Sequence, residues 1–132
     1  MSARPLVSVI VPTHNRVESL LRTLAAFERQ TFDPNEMELI VVADGCMDST
    51  VSTLRSRPTR LACQLIELEG LGAGAARNAG AEAARGSILL FMDDDIEPTP
   101  GLVAVHVRAH AERPGRVVMG PYPPSLLGRS SF

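Results

Sequence analysis

The chain is 132 residues long, 45% hydrophobic and 21% charged, which fits one soluble globular domain with a real core. Its 13 basic and 15 acidic residues leave a formal charge of −2, so it has no general attraction to nucleic acid or to an anionic membrane. With no Trp and one Tyr it lacks an aromatic platform for single-stranded nucleic acid, and no apolar run approaches the roughly 18 residues of a transmembrane segment.

The opening MSARPLVSVIVP reads as a first strand rather than a signal peptide. Its β-branched run, Val7 to Val11, suits a strand buried on both faces, with Pro12 as its end. Asn15 and Glu18 form a capping-box-like pair ahead of Val17, Leu20, Leu21, Leu24 and Phe27, whose spacing predicts a helix to about Arg29. Leu39 to Ala43 is the second strand. Asp48 or Ser49 caps a short helix with Val51 and Leu54 inward, closed by Arg57 and Pro58. A third strand spans Ala62 to Leu68. Gly70, Gly72 and Gly74 make a flexible loop before an Ala-rich helix, Ala75 to Arg85, stopped by Gly86. Ser87 to Met92 is the fourth strand. Thr99 and Pro100 open a helix to about Arg113, and Val117 to Met119 is a short fifth strand. PYPPSLLGRSSF follows as loop, with Pro121 to Pro124 the one candidate linker.

This alternation predicts an α/β fold with a mostly parallel sheet and helices on both faces. In such sheets ligands bind beyond the carboxyl ends of the strands. Polar clusters fall at all four of those ends: Thr13-His14-Asn15-Arg16, Asp44-Gly45-Cys46, Gly70 to Asn78, and Asp93-Asp94-Asp95.

Three adjacent carboxylates repel one another, and a divalent cation removes that cost. Hard oxygen ligands select Mg²⁺ or Mn²⁺ over Zn²⁺. In an extended segment Asp93 and Asp95 point to one side and Asp94 to the other. Mg²⁺ takes one or two carboxylates together with substrate phosphates, so the triplet points to a phosphate-bearing ligand. The competing reading is a solvated turn. In GLGAGAARN, Arg77 stands where a dinucleotide fingerprint needs its last glycine, and no GK[ST] follows. These glycines instead let backbone approach a ligand, while Arg77 offers a fork for a phosphate or a base edge, or stays solvated. His14 is a candidate ligand contact. His106 and His110 lack an HExxH frame and read as surface or packing residues. Cys46 and Cys63, without CxxC spacing, read as reduced cytosolic thiols.

VSVIVPTHNR, ELIVVADGCMDST and GLGAGAARNAGAEAARGSILLFMDDDIEP, in this order and at this spacing, resemble the family 2 glycosyltransferases of the Rossmann-like GT-A fold, from Leu6 to about Gly120. The resemblance implies a nucleotide-sugar donor (UDP-, GDP- or TDP-linked) and a divalent metal, with the D-x-D on Asp93 and Asp95. It makes Asp95 the metal ligand and sets Asp93 by the ribose and the metal. Pro12, Thr13 and Asp44 line the base, and Arg77 lies near the base or the phosphates. Asn15, Arg16 and Asp94 complete the nucleotide-sugar set. One departure is Ala43-Asp44-Gly45-Cys46, where the family often carries D-D-G-S; it leaves the choice of base open.

The second departure is length. Family members usually continue into an acceptor-binding half with a carboxylate base, and neither Glu97 nor Asp33 has a strong claim to that role. The expectation is therefore a donor-binding domain over residues 1–120, an irregular tail over 121–132, and a fold incomplete at its C-terminus. An unfinished sheet exposes an edge that a homodimer would cover. The implied activity is inverting, metal-dependent glycosyl transfer to an acceptor sugar or lipid-linked glycan, in the cytoplasm or at the inner face of the membrane. The alternative is a nucleotide-binding module without transferase activity. A nucleotidyltransferase would want a Gly-rich basic loop after strand one, where PTHNR stands. An aspartyl phosphatase would want an early DxD and a later lysine, and all 13 basic residues here are Arg.

Overall fold

The structure is a computed structural model that describes residues 4–112 and Gly115. Its elements are β1 (Val7–Thr13), α1 (Val17–Glu28), a 3₁₀ turn (Pro34–Glu36), β2 (Met37–Asp44), α2 (Thr50–Ser56), β3 (Ala62–Leu68), α3 (Ala73–Ala83), β4 (Ile88–Phe91) and α4 (Leu102–Glu112). The four strands form one parallel sheet in the order β3-β2-β1-β4. Strand order therefore reverses at β1, the position where open α/β sheets leave a crevice. The fold is Rossmann-like α/β, as the alternation predicts.

The two central strands are apolar on both sides because both sides are covered. Val9, Val11, Leu39 and Val41 pack on Leu20, Leu24 and Phe27 of α1 and on Val103 of α4. Ile10, Ile40 and Val42 face Ala76 of α3. The Ala/Gly composition of α3 is a packing requirement: a Cβ on Gly80 would lie 2.4 Å from Cγ2 of Ile10. Gly86 is likewise demanded by contact, since its Cβ would meet the Ser8 nitrogen at 2.8 Å and the Leu6 carbonyl oxygen at 2.9 Å.

Several boundaries differ from the sequence expectations. β1 continues through Pro12 to Thr13. Ile88 and Met92 donate to the carbonyls of Leu6 and Ile10, so the even-numbered residues of β1 face β4. That pairing ends at Ile10–Phe91, and the missing N–H of Pro12 falls where no partner strand remains.

Asn15 does not cap α1. Its backbone is left-handed (φ 51°), and Arg16 holds the N-cap position. The Val17 N–H is taken by Asp48 Oδ2 at 3.3 Å, from the loop after β2. α3 starts at Ala73, and α4 at Leu102 rather than Pro100. Gln30 serves the start of α4, accepting from the Val103 N–H at 3.0 Å and donating to the Thr99 carbonyl at 2.7 Å. The expected fifth strand and the Pro-rich tail lie outside the described residues.

Candidate functional site

The loops at the carboxyl ends of the strands enclose a cleft of about 570 Å³. Pro12, Thr13, His14 and Arg16 line it from the end of β1 and the loop after it, Asp44 from β2, Gly70, Gly72, Ala73, Ala76 and Arg77 from the glycine loop and α3, and Asp93, Asp94 and Asp95 from the segment after β4. Of the sequence-derived candidates, only Asn15 is not a lining residue. It serves as a clamp: its Oδ1 accepts from the N–H groups of Met47 (2.6 Å) and Asp48 (3.2 Å). Together with the Asp48–Val17 bond, this ties the loops after β1 and β2 to each other in both directions.

The clamp also orients the His14 ring. With Oδ1 of Asn15 used as acceptor, its Nδ2 faces Nε2 of His14 at 3.4 Å. On the other side of the ring, an N–H on Nδ1 donates to the Asp44 carbonyl oxygen at 2.7 Å.

Asp44 ends β2, and its carboxylate organises the glycine loop. Oδ1 accepts from Gly70 at 2.9 Å and Leu71 at 2.8 Å, and Oδ2 accepts from Gly72 at 2.7 Å. The Leu71 N–H bond, with those of Gly72 and Gly70 outweighing partial desolvation, holds this carboxyl below its ordinary range. Gly70 and Gly72 take φ of 92° and 99°, a region open to glycine, and this is why the loop is written with glycines. Cys46 sits against the end of β1, its Sγ 3.7 Å from the Thr13 carbonyl oxygen.

The three aspartates part company. The chain turns after Phe91 rather than staying extended, yet alternation survives. Asp94 is buried, at 6% exposure, with Oδ2 accepting from the Thr13 hydroxyl at 2.8 Å and Oδ1 from Arg16 at 3.3 Å. Its carbonyl accepts from the Thr23 hydroxyl of α1 at 3.0 Å. Asp93 and Asp95 face outward with loose partners: Arg77 lies 3.9 Å from Asp93 and Arg16 3.6 Å from Asp95. Their side chains are 64% and 56% exposed, so these two carboxylates remain available to a ligand.

His106 is buried on α4, and burial, with His110 nearby, lowers its pKa; neither histidine lines the cleft. Cys63 lies on the edge strand β3, where burial pushes its thiol up. Sequence reasoning placed Gly70 to Asn78 at the site but read Ala73 and Gly74 as loop rather than as the start of α3. It also missed Asp48 as the cap of α1, for which the only signal was an acid in a turn.

The sequence model of the family described as "Glycosyl transferase family 2" matches residues 8–129. The chain belongs to glycosyl transferase family 2. Among family 2 relatives it is 40% identical over 119 residues to validoxylamine A glucosyltransferase of Streptomyces hygroscopicus subsp. limoneus, covering 88% of this chain and 26% of that protein. To glycosyltransferase AglE of Haloferax volcanii it is 39% identical, covering 74% of this chain and 33% of the relative. The mannosyltransferase PcManGT of Pyrobaculum calidifontis, solved with GDP-Man and Mn²⁺, superposes with a TM-score of 0.76 at 30% identity over 85% of this chain and 34% of its own. Residues 1–349 of Staphylococcus aureus TarS, solved with UDP, superpose with a TM-score of 0.74 at 26% identity, over 86% of this chain and 38% of that one. The fold is thus that of the GT-A enzymes. The chain spans about a quarter to a third of the length of the curated relatives named here.

Among the described residues, no three or more His, Cys, Asp and Glu side chains converge on a complete metal cage, and no helix is long and apolar enough to cross a membrane. Two exposed carboxylates on one cleft nonetheless fit a hard divalent cation whose remaining ligands are phosphate oxygens and water. The third aspartate, held by Thr13 and Arg16, is already satisfied.

Proposed function

We propose that this chain carries the donor site of a glycosyltransferase that moves a sugar from a nucleoside-diphosphate sugar to an acceptor hydroxyl, with Mg²⁺ or Mn²⁺ at Asp93 and Asp95. The observation that carries this reading is the pair Asp93 and Asp95, exposed on a cleft they share with Arg16, Arg77 and the glycine loop. Solved relatives holding UDP, UDP-GlcNAc, or GDP-Man with Mn²⁺ support it.

In this reading Asp95 ligates the metal, and Asp93 shares it while approaching the ribose. Pro12, Thr13 and Asp44 line the base, and Arg77 meets the base or the phosphates. The metal, when bound, supplies Lewis-acid stabilisation of the leaving diphosphate. Arg16 and Arg77 add positive charge beside the same oxygens. Asn15 and Asp94 keep the loops in register, so little reorganisation is needed as charge develops. The acceptor oxygen then bonds to the anomeric carbon as the bond to the diphosphate breaks, with inversion. The acceptor is a sugar or a lipid-linked glycan, met in the cytoplasm or at the inner face of the membrane.

A specific observation favours a second reading, a nucleotide-binding domain without transfer of its own. Among the described residues, the carboxylates lining the cleft are Asp44 and the triplet, and none of these is left to deprotonate an acceptor. Under both readings residues 1–120 form the donor-binding domain.

Calorimetric titration with UDP, GDP and TDP, each with and without Mn²⁺, tests the site. Metal-dependent binding of one nucleotide that is lost in Asp95→Ala is the expected result. Absence of binding by the folded wild-type chain overturns the reading. Product formation with a donor sugar and acceptor separates the enzyme from the binding module.

A further inference from the structure

We infer that Arg16 and Arg77 act as built-in counter-cations of the metal carboxylates, and that they give them up to the metal only when a diphosphate arrives. The inference rests on the donor-site reading above. Both carboxylates expected to hold the cation already face a guanidinium: Arg16 Nη1 stands 3.6 Å from Asp95, and Arg77 Nη2 stands 3.9 Å from Asp93. Neither contact is a well-formed hydrogen bond. Both arginines are about half exposed, at 59% and 46%, so Arg77 can swing on its flexible stem, and Arg16 can turn its other guanidinium nitrogens to a phosphate while Nη1 keeps its 3.3 Å bond to Asp94. Both also line the cleft where a diphosphate would lie.

A phosphate takes a guanidinium in bidentate fashion and draws it away from a loosely held carboxylate. The acidic triplet is thus kept neutralised without a ligand, and a metal entering alone must compete with two positive charges at close range. Nucleotide and metal therefore bind with positive coupling, and by linkage each raises the affinity of the other by the same factor.

The test is a titration of Mn²⁺, followed by the electron paramagnetic resonance signal of the free ion, at low ionic strength so that exposed charges are not screened. It is run on the wild-type chain, Arg16→Gln, Arg77→Gln and, as a control for net charge, Arg22→Gln on the exposed side of α1. Without nucleotide, Arg16→Gln and Arg77→Gln are each expected to bind Mn²⁺ roughly fivefold more tightly than wild type, the effect of removing the competition of one guanidinium–carboxylate pair about 4 Å apart in water. Saturating UDP or GDP is expected to tighten Mn²⁺ binding by wild type more than by either variant. Arg22→Gln is expected to match wild type.

Unchanged or weaker Mn²⁺ affinity in both cleft variants overturns the exchange, as does an equal gain in Arg22→Gln. If wild type binds Mn²⁺ with nucleotide but the variants gain nothing, only the arginine exchange falls. If wild type takes up no Mn²⁺ even with nucleotide, the metal-dependent donor site falls with it.

Discussion

Glu38 and Asp44 lie on the same face of β2 and hold the two ends of α3. Asp44 accepts from the backbone of Gly70, Leu71 and Gly72 ahead of the helix, and Glu38 accepts from the Arg85 N–H beyond it at 2.8 Å. Between them Ile40 and Val42 carry the apolar contact with Ala76. One strand thus sets where the helix begins, where it ends and how closely it packs. The cleft wall follows from that, because the start of α3 is part of it.

Loss of the Glu38 charge weakens the fold in a pH-dependent way. Burial alone would raise its pKa, but bonds from Ser8, the Arg85 N–H and Gln64, with the Arg85 charge, outweigh it and leave the carboxyl below its ordinary 4.5. A group depressed in the folded state stabilises above its unfolded pKa and loses that contribution as pH falls through the folded value. Glu38→Gln is therefore expected to cost about 2–3 kcal/mol at pH 7, the range for a hydrogen-bonded charge. Urea denaturation at stepped pH should show the gap to wild type closing below about pH 4.5. A constant gap would mean that packing, not charge, is at stake.

Enlarging Gly80 pushes α3 off the sheet. With a Cβ already 2.4 Å from Ile10, Gly80→Val is expected to destabilise by about 1–3 kcal/mol in chemical denaturation, more than any gain in helix propensity returns. Nucleotide affinity should fall as well, because the same helix carries Arg77.

The aspartate triplet should divide into two phenotypes. Asp94→Ala leaves the buried Thr13 hydroxyl without its acceptor and is expected to cost about 1–3 kcal/mol of stability. Asp93→Ala and Asp95→Ala, at exposed positions, are expected to stay within about 0.5 kcal/mol of wild type while losing metal-dependent nucleotide binding. Thermal unfolding alongside calorimetry separates the two. Equal destabilisation in all three variants would refute the division.

Asp44→Ala should loosen the glycine loop without unfolding the chain. Hydrogen exchange at Gly70, Leu71 and Gly72 is expected to accelerate selectively, while the amides of β1 and β2 stay protected. Protection at the three loop amides equal to that of wild type would show that the loop orders itself.

The sequence by itself determined the elements and the location of the site. β-branched runs such as VSVIV need burial on both faces, so alternation with helices specifies a parallel sheet, whose carboxyl edge collects the polar loops. The separation of Asp94 from its neighbours matches the alternation expected of an extended segment, although the chain turns at Asp94 and it is Thr13 and Arg16 that hold this carboxylate inward. Only the tertiary structure decided the strand order β3-β2-β1-β4 and the fates of Asn15, Asp48 and Glu38. Asn15 has the composition of a helix cap, but acceptors spend their lone pairs on the nearest unpaired N–H in space. For Asn15 those donors belong to Met47 and Asp48, more than 30 residues away in sequence. In the sequence Glu38 stands just ahead of the apolar run Leu39 to Ala43, and only the structure brings Ser8, Gln64 and Arg85 onto it within β2. Those partners come from three separate segments, and only their meeting makes a buried charge tolerable.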